Sequence, residues 1–172
     1  MRAVRIFGGM AATAIAVIGS LGAAPSAHAY DWGIDISGTW RVFSDGEWAR
    51  TNQVKFKQAS VLETWTVSVS CATRLECSGE VTSDLGWTGT ARLDDFWYIE
   101  HDVPNWKPCP DGTFATGHQK FQMWGVDPAT EERVVRNIQT FAGRNITSTD
   151  SGACGINNPT VIELPVHMEK IS

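Results

Sequence analysis

Glu63 and His101 are the two side chains of this sequence best placed to do chemistry, because each is polar on an otherwise apolar strand face. In 61–70, Val61, Glu63, Trp65, Val67 and Val69 alternate with Leu62, Thr64, Thr66, Ser68 and Ser70. In 96–103, Trp97, Ile99, His101 and Val103 alternate with Phe96, Tyr98, Glu100 and Asp102. A polar group on an inward face must be hydrogen-bonded or shifted in pKa. Glu63 and His101, with Trp65 and Trp97 beside them, are therefore the expected lining of a ligand pocket, with flat rings for contact and polar groups for orientation. The competing readings are a satisfied core pair, a rim position, or reversed faces in 96–103 that leave His101 outside. No spacing fixes Glu63 and His101 at acid–base distance.

Other chemistry finds little support. No Gly-x-Ser-x-Gly elbow is present. The cysteines come without Cys-x-x-Cys or paired histidines, so no metal site and no cofactor are expected. His118 and His167 read as surface histidines, and Asp94-Asp95 and Glu131-Glu132 as turn carboxylates. No catalytic residue is assigned, and a hydrolase is the third-ranked function. Trp48 and Trp106 fall in irregular stretches and are candidate partner contacts of the hot-spot kind.

Strands must position these groups. Short β-branched and aromatic runs recur after residue 30, separated by Gly, Asp, Asn and Pro. Strands are expected at 36–43, 61–70, 77–83, 87–93, 96–103, 117–126, 133–141 and 160–171. A weak edge strand is expected at 143–149, and 131–138 has one or two helical turns as its alternative. Irregular segments are expected at 47–58, 104–116 and 148–160. The fold class is all-β, an antiparallel up-and-down barrel of about eight strands, with a β-sandwich as the alternative. Of the eight tryptophans, Trp40, Trp65, Trp87 and Trp97 can face one interior, either lining a cavity or filling a core.

Cys71, Cys77, Cys109 and Cys154 can pair in three ways. The favoured pairs are Cys71–Cys77 across a hairpin and Cys109–Cys154 between two long loops. Such loops give about 2.4 and about 4 kcal/mol in the chain-entropy account.

The chain start sets the compartment. Arg2 and Arg5 precede an apolar run at 8–21, and Ala27-His28-Ala29 ends it with small residues, the layout of a signal peptide over 1–29. The run is too short for a membrane span, so the mature chain is one secreted β domain over 30–172 with no transmembrane segment. It lies outside the cell or in the envelope, where thiols oxidise. Removing the leader takes the net charge from −5 to −7, since Arg2 and Arg5 leave and no acid does. That balance argues against nucleic acid as a partner.

Two resemblances add to this. Asp45-Gly46-Glu47-Trp48-Ala49, Thr82-Ser83-Asp84-Leu85-Gly86-Trp87, Pro104-Asn105-Trp106-Lys107-Pro108-Cys109-Pro110-Asp111-Gly112 and Ser151-Gly152-Ala153-Cys154-Gly155 resemble small exported proteins of mycobacteria and their relatives. That likeness implies secretion or envelope residence and no catalytic residues. Ser37-Gly38-Thr39-Trp40 is similar to the Gly-x-Trp start of calycin barrels, the lipocalin and avidin superfamily. It implies a Trp that closes one end, with Lys170 as the late-strand base over it. The expected function is a non-enzymatic secreted barrel that binds a small apolar or amphipathic ligand or an envelope component. The alternative is a protein-binding module presenting Trp48 and Trp106.

Overall fold

The computed structural model describes residues 32–172, and the export-signal reading of 1–29 lies outside them. In chain order the strands are β1 (Gly38–Ser44), β2 (Arg50–Thr51), β3 (Val54–Lys55), β4 (Val61–Cys71), β5 (Cys77–Ser83), β6 (Thr88–Asp94), β7 (Phe96–Pro108), β8 (Phe114–Val126), β9 (Arg133–Val134), β10 (Thr140–Ser148) and β11 (Val161–Lys170). One-turn 3₁₀ segments stand at Gly46–Trp48 and Ala153–Gly155.

Eight strands close a barrel. β1, β4, β5, β6, β7, β8, β10 and β11 pair antiparallel in that order. β11 then returns onto β1, with Trp40 opposite Lys170 and Ser44 opposite Val166. Closure removes the open edges of the sandwich alternative. β2 and β3 form a small flap on β11, with Thr51 opposite Ile162 and Arg50 opposite Glu163.

Period two decides what fills the lumen. Trp40, Val42, Trp65, Val67, Val81, Ile99, Phe121 and Met168 point inward and are buried. Each buried indole removes roughly 150–250 Å² from water, worth roughly 4–6 kcal/mol at 25 cal/mol per Å². At the lower end Trp40 is fully buried. Trp40 donates from Nε1 to Ile36 O at 2.8 Å. It meets Phe141 edge-on at 5.3 Å and carries Lys170 Nζ 5.6 Å above its ring.

Both expected disulfides are present. Cys71–Cys77 crosses the β4–β5 hairpin at the lower end. Cys109–Cys154 ties the β7–β8 tip to the β10–β11 link at the upper end.

Several element expectations are corrected. The weak edge strand at 143–149 is the core of β10, paired with β8 and β11 along its length. The strand expected at 133–141 shrinks to β9 and the start of β10. The helical alternative for 131–138 is replaced by a turn with positive φ at Glu131 and Asn137. β7 continues through Pro104 to Pro108, and β8 begins at Phe114, so little of 104–116 is irregular.

Candidate functional site

Above the apolar plug the inward positions turn polar. Glu63 on β4 is 4% exposed. Its Oε2 accepts from Ser83 Oγ at 2.6 Å and from Trp87 Nε1 at 3.0 Å. Trp87 stacks on His101 at 3.9 Å with 4° between the planes. His101 stands opposite Gln119 in the β7–β8 register. Gln119 Nε2 donates to Asn145 Oδ1 at 2.8 Å, and Asn145 Nδ2 donates to Ser44 Oγ at 3.1 Å. Ser44 and Glu63 are diagonal neighbours on β1 and β4. A polar belt thus runs around the upper lumen.

Burial makes this belt costly unless its groups are paired. Most are. Three buried side-chain atoms have no protein partner among the described residues: Trp65 Nε1 and His101 Nε2 in the barrel, and Thr51 Oγ1 on the flap. Trp65 itself is fully buried, edge-on to Trp87 at 5.4 Å and to Phe121 at 4.7 Å.

The mouth over the belt is occupied by an indole. A register shift between Val103 and Lys107, with Asn105 at φ 54°, bulges β7. Such a bulge re-aims side chains. Trp106 lies against Gly117, where a Cβ would sit 2.7 Å from Trp106 Cγ. Only glycine leaves room for the ring there. Lys107 Nζ bonds Thr160 Oγ1 on the facing link.

The sequence-expected site residues therefore separate. Glu63, Trp65 and His101 come together through Trp87. Trp97 lies lower, in the wall of a basal cleft of about 390 Å³ with Leu75, Leu93, Met123, Val134 and Ile138. Trp40, Trp65 and Trp97 all belong to the buried apolar core, and of the three only Trp97 borders that cleft. Trp48 is 62% exposed with Lys55 Nζ 3.9 Å over its ring. Trp106 is half-buried on a strand, not free on a loop. Sequence reasoning placed Trp87 inside but missed its role as the bridge between Glu63 and His101. Ser44, Ser83, Gln119 and Asn145 were also missed, since short polar side chains carry no pattern of their own.

Outside the barrel, His118 Nδ1 meets Asp102 Oδ1 at 2.7 Å, and its Nε2 meets Asp150 Oδ2 at 3.4 Å. The Asp102 hydrogen bond first and the Asp150 hydrogen bond second raise the His118 pKa above its ordinary 6.5. With both nitrogens facing carboxylates, this histidine is a latch between β7, β8 and the upper link.

No protein-family model matches the chain, and no curated protein matches it. Among solved structures, the chain is similar to the monomer form of the M. tuberculosis PknI sensor domain, with a TM-score of 0.53 and 15% identity. The alignment covers 78% of this chain and 86% of that one. At that identity the likeness shows a shared fold.

Proposed function

We propose that this chain is an exported, non-enzymatic binding protein whose upper barrel mouth takes a small amphipathic ligand. The polar belt is the observation that carries the reading. A lumen built for stability alone would continue the apolar plug, whereas this one turns polar at a single level. It leaves a buried indole N–H and a buried imidazole nitrogen without protein partners. Glu63 orients the ligand's polar end, Trp65 Nε1 donates to it, and Trp106 covers it. The buried Trp40 and Trp65 below the belt leave room for a small ligand only. The sensor domain of similar fold supports a binding role. The two disulfides suit an oxidising compartment. Lys170 over Trp40 supports the calycin-like reading of the barrel.

Calorimetry of the oxidised protein with uncharged alcohols from hexanol to dodecanol tests the reading. Saturable heat in the wild type, weakened about tenfold by Glu63→Gln and kept by Trp48→Ala, is the expected result. Heat that Glu63→Gln leaves unchanged places the ligand elsewhere and overturns it.

A second reading is a protein-contact module. The exposure of Phe43 and Leu62, which face each other across β1 and β4, and of Val54 and Phe56 on the flap favours it. Leu62→Ser with Phe56→Ser would then abolish capture of a partner while leaving alcohol binding intact.

A further inference from the structure

The outer wall of the barrel holds a second feature that the lumen reading does not use. A groove of about 530 Å³ lies where the β2–β3 flap meets β10 and β11, lined by Trp48, Arg50, Lys55, Arg144, Glu163 and Pro165. The register explains how these side chains converge. Arg50 is opposite Lys55 on the flap and opposite Glu163 on β11, and directly opposed residues share a face. Trp48 is two residues before Arg50. Arg144 is opposite Pro165, two residues along from Glu163. Val54 lies on the flap's other face, opposite Thr51, so the cationic and apolar faces are segregated.

The charge is unusual for this molecule. The whole chain carries −5, yet three of the groove's six residues are cations and one is an acid. Glu163 meets Arg144 at 3.8 Å. Among the described residues, neither Arg50 nor Lys55 has a carboxylate within 4 Å. Lys55 instead rests on the Trp48 indole, which remains 62% exposed. The indole face opposite Lys55 offers a platform for the C–H face of a sugar ring, and the cations around the indole attract a negative substituent.

We infer that this groove binds an anionic sugar, a pyranose ring bearing a carboxylate or phosphate. The ring packs on Trp48. Its acidic group is held by Arg50, Lys55 and Arg144, and Glu163 accepts from ring hydroxyls and orients Arg144. The segregated flap face argues for a saccharide over a peptide, since the groove itself offers no aliphatic pocket for side chains.

Calorimetry at low salt with four probes tests this: tri-galacturonate, glucose 6-phosphate, neutral galactotriose and triglutamate. Binding of either acidic sugar is expected, with affinity falling as salt rises. Trp48→Ala and Arg144→Gln should each weaken it about tenfold, with the melting temperature and alcohol binding unchanged. Equal binding of galactotriose, equal or tighter binding of triglutamate, or no heat from either acidic sugar overturns the inference. Because the alcohols report on the lumen and the sugars on the groove, failure of one reading is visible apart from the other.

Discussion

Glu63 holds two donors in a nearly dry site, Ser83 Oγ and Trp87 Nε1. Glu63→Ala strands both. It should lower stability by about 1–3 kcal/mol, read as a shift in the urea midpoint at unchanged slope. An unchanged midpoint would mean that the carboxylate is not part of the folded network. His118 makes a prediction of opposite visibility, because it is exposed. Its folded pKa is raised above 6.5, first by Asp102 and then by Asp150. A group of this kind adds stability that is complete below its unfolded pKa and is lost as pH rises through the folded value. The melting temperature of the wild type should therefore exceed that of His118→Gln most below pH 6.5, and the gap should narrow at higher pH. Asp102→Asn should bring the His118 titration, followed by NMR, back toward 6.5. At this scale the sequence exposed Glu63 and His101 because each interrupts an apolar alternation. It hid the bridging role of Trp87, which precedes β6 and meets Glu63 only after β4, β5 and β6 pair.

β10 and β7 show why elements were harder to read than single residues. The inward face of β10 is Phe141, Gly143, Asn145 and Thr147, so the polar belt passes through it and erases the apolar alternation that marks a strand. β7 contains Pro104, which ordinarily argues against a continuing strand. The bulge between Val103 and Lys107 accommodates it and turns Trp106 inward. The flap strands have two residues each, too few for any periodicity. Where alternation was intact, in β4 and β5, the expected segments match the strands closely. The close approach of Trp106 to Gly117 gives an element-scale prediction. Gly117→Val places carbon where the indole ring now lies. It should cost about 1–3 kcal/mol as overpacking and expel Trp106, read as increased acrylamide quenching of indole fluorescence. Unchanged quenching would show that Trp106 does not cover the mouth.

Closure of β11 onto β1 makes the molecule a single ring of strands, and the disulfides pin its two ends. In the chain-entropy account the 45-residue separation of Cys109 and Cys154 is worth about 4 kcal/mol, and the 6-residue separation of Cys71 and Cys77 about 2.4 kcal/mol. Replacing the upper pair with serine should therefore lower the urea midpoint more than replacing the lower pair; the reverse order would contradict the assignment of the upper links as the longer entropic liability. The all-β class, the barrel and both pairings were readable from strand runs, turn residues and cysteine positions. The polar belt was not, because it is a property of the closed ring: its members come from seven separate stretches of chain that meet only when β1 and β11 join.

The most direct test is an indole ¹⁵N–¹H spectrum of the oxidised protein, assigned by single Trp→Phe substitutions and titrated with the same alcohols. Saturable movement of the Trp65 and Trp87 signals, needing about tenfold more alcohol in Glu63→Gln, is the predicted result. Movement of Trp97 alone would place the ligand in the basal cleft. That outcome, or stillness of both Trp65 and Trp87 throughout the titration, would contradict a polar lumen built for binding.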